Sequence, residues 1–156
     1  MQTSNILVLF CLVLGSFAIE MEEKKVHLST DPPPMLAGGK INAEVDDELI
    51  ALSWRAVNEK VNKESNELYH SMPIKIIKAT SQVVAGVSYE LEVLVGESDC
   101  AKNTVSHEQV SATRCSLKET STAPKKVCKF TVWQKSWENF EEIKMTGCEN
   151  FVENSN

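Results

Sequence analysis

The sequence has few of the residues on which metal binding and catalysis usually depend. It contains only three histidines, at positions 27, 70 and 107, and it has no Cys-x-x-Cys pair. The ligand spacing of a structural zinc site is therefore missing. We expect no metal and no other cofactor, and we do not expect an enzyme, because catalysis requires a set of positioned bases, nucleophiles or metal ligands.

The chain also lacks a basic tract, and its net charge is −6. Nucleic acid is therefore not an expected partner, since proteins that bind it usually carry a cluster of lysine and arginine. The composition is otherwise ordinary for a globular protein, with 42% hydrophobic and 24% charged residues. One domain with a single core is the expected organisation for 156 residues.

A hydrophobic run long enough to cross a membrane comfortably is missing as well. The apolar stretch at residues 6–19 is broken by Gly15 and Ser16 and is short for a bilayer span. Ser16-Phe17-Ala18 has small residues at the spacing of a signal peptidase site, and acidic residues follow at once. We expect residues 1–18 to be a cleaved signal peptide and the mature protein to be secreted without a membrane anchor. A buried first helix is the alternative.

Removal of residues 1–18 would leave an even number of cysteines, at positions 100, 115, 128 and 148. An even number in a small secreted chain implies two disulfides, for which three pairings are possible. Oxidised cysteines are not nucleophiles, which again disfavours an enzyme.

The spacing of apolar residues predicts one helix followed by strands. Apolar side chains recur every three or four positions over residues 43–62, which is typical of an amphipathic helix, and we expect Asn42 to cap its start. Trp54 would lie at the edge of its buried face. Strands are predicted over residues 74–78, 87–96, 108–118, 127–133 and 139–148, with an irregular segment over residues 96–107. We expect an α+β fold in which one long helix packs across a twisted antiparallel sheet of four to five strands.

The segment Gln82-Val83-Val84-Ala85-Gly86 lies between the first two predicted strands. It falls near a hairpin tip, where Gly86 can adopt a positive φ at little cost. Hairpin tips usually carry Asn, Asp, Ser or Gly, so valines are unusual there. The valines either turn back into the core or form a contact surface, and the spacing alone leaves both interpretations open.

Three further segments also have more than one interpretation. Residues 35–39, Met-Leu-Ala-Gly-Gly, follow a polar arm that ends in three prolines, and they suit either a flexible joint or a contact. Ser65-Asn66-Glu67 suits a surface turn after the helix. Trp137 follows a polar turn and is either a core residue at one end of the sheet or an exposed contact.

In this order, the features resemble the cystatins, which are protein inhibitors of papain-like cysteine proteases. The resemblance rests on Gly38, the helix, the Gln-Val-Val-Ala-Gly sequence, the four cysteines and a tryptophan between the last two cysteines. It is to the secreted, two-disulfide (type 2) cystatins. We therefore expect residues 1–18 to be the signal peptide, residues 19–34 a flexible N-terminal arm and residues 35–150 the cystatin domain.

The resemblance implies a reversible, tight-binding inhibitor that fills the active-site cleft of a papain-like protease, such as cathepsin L, S or B, with a three-part wedge. Its protease-binding residues would be Leu36, Ala37, Gly38, Gln82, Val83, Val84, Ala85, Gly86 and Trp137. We expect the sequential disulfides Cys100–Cys115 and Cys128–Cys148. We also expect a monomer, with a strand-swapped dimer as the alternative.

Three positions depart from the family pattern. Ser136 replaces the proline before the tryptophan, and Ala37 is small for the second non-primed subsite of the protease. In some secreted cystatins a Ser-Asn-Asp motif inhibits legumain, an asparagine-specific protease. Here Ser65, Asn66 and Glu67 form the corresponding candidate site, with glutamate in place of aspartate. A secreted binding or immunomodulatory module of the same fold, without inhibitory activity, is the alternative function.

Overall fold

The computed structural model describes residues 38–152. The predicted signal peptide, the predicted arm, Leu36 and Ala37 lie outside this range. Within it, no helix has the length and apolar character needed to cross a membrane.

Five antiparallel strands form one sheet in the order in which they occur in the sequence. They are β1 (Lys40–Asn42), β2 (Tyr69–Val84), β3 (Gly86–Ala101), β4 (Lys126–Lys135) and β5 (Phe140–Asn150). Because each strand reverses the direction of the one before it, the β2–β3 turn and the β4–β5 turn lie at the same end of the sheet. The pairing of Val87 in β3 with Gln134 in β4 brings these two turns side by side.

The helix α1 (Asp47–Ala56) continues into a π-helical turn, Val57–Asn62. It begins later than the sequence predicts, because the Asp46 carboxylate accepts a hydrogen bond from the Leu49 backbone at 2.8 Å and caps the first turn. The prediction of Asn42 as the cap is wrong. Asn42 lies in β1, opposite Thr80 of β2.

The main core lies between the helix and one face of the sheet. The helix and the π-helical turn contribute Leu52 and Val57, and the central strands contribute Val93, Phe130 and Val132, all 0–1% exposed. Full burial of such a side chain is worth about 1.5–3 kcal/mol, so these contacts account for the position of the helix. The predicted α+β architecture is confirmed.

A second, smaller core differs from the sequence prediction. Residues 108–118 do not form a strand; they contain a 3₁₀ turn, His107–Gln109, and one isolated bridge between Leu117 and Ser98. The apolar residues of this segment are buried instead with the first disulfide, in a cluster of Cys100, Val105, Val110 and Cys115 against which Trp54 packs. The prediction that an irregular segment begins at residue 96 is also wrong, because β3 continues to Ala101.

Both predicted disulfides are confirmed. Cys100 is bonded to Cys115 and Cys128 to Cys148. The first joins the end of β3 to the segment that follows it, and the second joins paired residues of β4 and β5.

Candidate functional site

Three of the predicted protease-binding segments meet at one end of the sheet. We call this the hairpin end and define it as Gly38, residues 82–86 and residues 136–139. The pairing of Lys40 with Gln82 puts the start of β1 beside the first hairpin. The pairing of β3 with β4 puts the second hairpin on the other side.

Gly38 is tied directly to the first hairpin. The Gln82 side-chain amide donates a hydrogen bond to the Gly38 carbonyl at 2.7 Å. Gly38 has a φ of +93°, and a Cβ atom at this position would meet nothing within 4 Å. Glycine is therefore needed here for its backbone conformation and not for space.

The first hairpin has a very tight tip. Val84 pairs with Gly86, so Ala85 alone connects β2 to β3. Gly86 has a φ of +107°, and a Cβ atom there would lie 2.1 Å from the Gln134 carbonyl oxygen. Only glycine fits this position, because the tip packs directly on the backbone of β4.

A hydrogen bond fixes the tip further. The Trp133 indole N–H donates to the Ala85 carbonyl at 2.9 Å, which joins β4 to the tip residue itself. Trp133 also packs edge-to-face on Phe140, with ring centres 5.3 Å apart. The sequence pattern predicts Trp133 only as a strand residue. The available signal was an indole N–H near a strand end, which needs an acceptor.

The valines of the first hairpin are exposed. Val83 is 49% and Val84 42% accessible to solvent. The interpretation in which these side chains turn back into the core is therefore wrong.

Trp137 is likewise exposed, with 69% of its surface accessible. It lies in a 3₁₀ turn, Ser136–Glu138, which ends at Asn139 in the left-handed conformation. Its indole N–H donates to the Glu138 carboxylate at 3.1 Å, and Lys135 donates to the same carboxylate at 3.1 Å. These two bonds, first that from Lys135 and then that from Trp137, lower the pKa of Glu138. Trp137 is thus an oriented surface residue and not part of the core.

The three residues of the candidate legumain site lie at the opposite end of the sheet. They occupy the loop between the π-helical turn and β2, whose first residue, Tyr69, pairs with Ala101 at the end of β3. Asn66 and Glu67 are exposed and Ser65 is partly buried. The Glu67 carboxylate is 2.9 Å from the ammonium of Lys126, the first residue of β4. The structure therefore does not bring the two sets of predicted residues together.

Asp99, Cys100 and Cys115 are the one grouping of three potential metal ligands between residues 38 and 152. The two sulfur atoms are bonded to each other. Metals bind the thiolate form of cysteine, so this grouping offers a metal ion only the Asp99 carboxylate.

Comparison with known proteins identifies the family. The family model described as the cystatin domain matches residues 38–137. The chain belongs to the cystatin family. Onchocystatin from Onchocerca volvulus is 41% identical over 125 residues, which cover 80% of this chain and 74% of that protein. Cystatin cpi-1 from Caenorhabditis elegans is 40% identical over 110 residues, which cover 70% and 76% of the two chains.

A solved structure supports the same assignment. The crystal structure of Al-CPI matches with a TM-score of 0.61 at 36% identity, over 73% of this chain and 100% of that one. Cystatins are inhibitors of cysteine proteases and are not enzymes. Membership of the family confirms the prediction that the chain is not an enzyme. It also supports a role in the inhibition of cysteine proteases.

Proposed function

We propose that the mature chain is a secreted, reversible and tight-binding inhibitor of papain-like cysteine proteases of the cathepsin L, S and B type. The observation that carries the proposal is the exposure of Val83, Val84 and Trp137 on two neighbouring turns. Exposed apolar side chains grouped at one end of a molecule are typical of a contact surface. The two disulfides are consistent with an oxidising, extracellular location.

The hairpin end would act as a wedge in the active-site cleft between the two lobes of the protease. The valines and Trp137 would fill the apolar cleft and exclude water without presenting a peptide bond to the catalytic cysteine. Inhibition would therefore be reversible and would leave the inhibitor intact.

Rigidity of the first tip favours tight binding. The close contact of Gly86 with Gln134 and the bond from Trp133 to Ala85 hold the tip in one conformation before the protease arrives. Little conformational entropy is then lost on association, which increases affinity at a given contact area.

The residues before Gly38 would extend the contact along the non-primed subsites, with Ala37 toward the second and Leu36 toward the third. The positive φ of Gly38 and the hydrogen bond that its carbonyl accepts from Gln82 support this proposal, because they fix the residue from which such a contact would begin. A methyl group at position 37 would fill the second subsite poorly.

The second turn compensates in part for the absence of a proline at position 136. The Glu138 carboxylate holds the Trp137 indole N–H and the Lys135 ammonium in one short loop. We expect this pair of bonds to orient Trp137 for binding.

Ser65, Asn66 and Glu67 would form a second site that inhibits legumain. The exposure of Asn66 supports this proposal, and so does the position of the loop at the end of the sheet away from the hairpin end. Because the two sites lie at opposite ends, one molecule of the chain would bind papain and legumain at the same time.

Enzyme kinetics test both parts of the proposal. The apparent inhibition constant for papain should rise linearly with substrate concentration, since the wedge and the substrate compete for one cleft. Asn66→Ala should abolish legumain inhibition and leave papain inhibition unchanged. A folded, disulfide-intact chain that inhibits neither protease would instead favour the non-inhibitory binding module.

A further inference from the structure

We propose that Lys135 is a positioning residue that joins the two turns of the hairpin end, so that a protease meets one rigid surface and not two separate turns. The first turn is residues 82–86 and the second turn is residues 136–139. This inference rests on the proposed inhibition of papain-like proteases and names a residue on which the affinity for them depends.

Strand pairing alone does not set the position of one turn relative to the other. The pairing of β3 with β4 ends at Val87 and Gln134. The residues of both turns lie beyond this pair, at the surface, where connecting segments are usually more mobile than the strands they join. Contacts between side chains and the turn backbones are therefore needed to hold the two turns together.

The stem of Lys135 packs against the first turn. A Cβ atom added at Gly86 would lie 3.1 Å from the Lys135 Cγ atom, so the methylene groups lie directly beside the tip backbone. Only 20% of the Lys135 side chain is exposed, which is little for a lysine next to a surface turn. The stem is thus covered as an apolar side chain would be.

The ammonium group of Lys135 contacts the second turn. It donates to the Glu138 carboxylate at 3.1 Å, and the same carboxylate accepts the Trp137 indole N–H at 3.1 Å. One side chain therefore contacts the first turn through its stem and the second turn through its charged end.

Two aromatic rings hold the ammonium group in this position. It lies 4.7 Å from the ring centre of Trp133 and 5.2 Å from that of Phe140. Both distances fall within the range of about 6 Å over which a cation is attracted to the face of an aromatic ring. The Trp133 indole N–H in turn donates to the Ala85 carbonyl at 2.9 Å.

These contacts form a continuous path between the two turns. It runs through the following residues in order: Ala85, Trp133, Lys135, Glu138 and Trp137. Because the folded chain already holds both turns in one arrangement, little further ordering is needed when a protease binds. The expected consequence is a complex that dissociates slowly.

The test compares Lys135→Met with Lys135→Arg and with Lys129→Met in the oxidised mature chain. Methionine keeps the apolar stem and removes the charge, whereas arginine can still lie over the rings and donate to a carboxylate. Lys129 is the matched control, because it lies on the same strand and, by alternation, on the same face, with its ammonium 3.6 Å from the Glu149 carboxylate and away from the hairpin end. Urea unfolding shows whether each variant is folded.

Two readouts are needed. The first is the rates at which papain associates and dissociates, and the second is the exchange of the tryptophan indole N–H groups with water in the free chain, measured by NMR. The chain has three tryptophans, so Trp54 serves as the internal reference.

We expect Lys135→Met to weaken papain inhibition about 5- to 30-fold, mainly through faster dissociation. In the free variant the indole N–H groups of both Trp133 and Trp137 should exchange faster, and that of Trp54 should not change. Lys135→Arg should retain most of the affinity, and Lys129→Met should resemble the unmodified chain in both readouts.

Three results would overturn the role of Lys135. The first is equal inhibition of papain by Lys135→Met and the unmodified chain. The second is weaker inhibition without a change in either indole exchange rate, which would indicate that Lys135 touches the protease directly. The third is faster exchange of Trp133 or Trp137 alone, which would show that the two turns are not joined.

Failure of the proposed function gives a different result. If the unmodified chain does not inhibit papain, the proposed function is overturned, and the effect of Lys135 on affinity with it. The indole exchange rates of the free chain would still show whether Lys135 joins the two turns.

Discussion

Replacement of Gly86 by alanine changes the first hairpin at the point where it is most tightly packed. The new Cβ atom would lie 2.1 Å from the Gln134 carbonyl oxygen, about 1.3 Å closer than the 3.4 Å at which ordinary van der Waals contact begins. The neighbour is backbone and not the flexible end of a side chain. The tip must therefore move away from β4.

Two contributions set the expected loss of affinity. An L-residue in a backbone conformation reserved for glycine costs about 1–2 kcal/mol. Displacement of the tip also breaks the 2.9 Å hydrogen bond from Trp133 to Ala85, worth about 1 kcal/mol. If most of this loss falls on the protease complex, papain inhibition weakens about 30- to 150-fold.

The assay is a tight-binding titration of papain, combined with urea unfolding of the free inhibitor. Gly147→Ala is the matched control, because Gly147 also has a positive φ, +153°, but a Cβ atom there meets nothing within 4 Å and lies away from the hairpin end. The control should lose some stability and keep its affinity for papain. Affinity of Gly86→Ala within about threefold of the unmodified chain would refute the argument that a fixed tip is required.

Three further predictions concern Trp137, Ala37 and the ion pair of Glu97 with Lys118. Trp137→Ala should weaken papain inhibition at least about tenfold without changing the unfolding free energy, since Trp137 is 69% exposed; retained affinity would exclude it from the contact. Ala37→Val should tighten inhibition of proteases with a deep second subsite by up to about 0.8 kcal/mol per added methylene, and no gain in measured inhibition constants would contradict that placement. The hydrogen bond from Lys118 lowers the pKa of Glu97, so the pair should stabilise the fold above the usual glutamate pKa and cease to do so as pH falls through the lowered pKa. Urea unfolding should show Glu97→Gln less stable than the unmodified chain by up to about 1 kcal/mol at pH 6, and this difference should shrink steadily as the pH falls below the usual glutamate pKa; a difference that does not change with pH would be the contrary result.

The parts of the fold with regular apolar spacing were predictable from the sequence. The helix follows from a three- and four-residue repeat that ends, as predicted, at Asn62, and the first hairpin follows from alternation around Gly86. The start of the helix was not predictable from this repeat, because the Asp46 carboxylate caps the first turn and so determines where the helix begins.

The errors occur where packing is local or pairing is short. The apolar residues Val110 and Cys115 imitate strand spacing, but they are buried against the Cys100–Cys115 disulfide and not in the sheet. The strand β1 has only three residues, which is too short for any alternation to be visible. Its pairing with β2 depends on contacts distant in sequence.

The sequence indicated which residues form the candidate site, but not the contacts that hold them in place. Apolar residues are unusual in hairpin tips, which singled out residues 82–86, but the sequence alone left these residues and Trp137 with two interpretations, and the resemblance to the cystatins selected the contact surface. The contacts of Trp133 with Ala85 and of Gln82 with Gly38 join residues far apart in the chain, and no local pattern encodes them.

The most direct measurement is a titration of papain with the oxidised mature protein, residues 19–156, followed by dissociation of the complex and mass spectrometry of the released chain. We expect inhibition at nanomolar concentration, recovery of papain activity on dilution and an intact inhibitor. A folded chain with both disulfides formed that leaves papain fully active, or that is cut at the hairpin end as it inhibits, would contradict it.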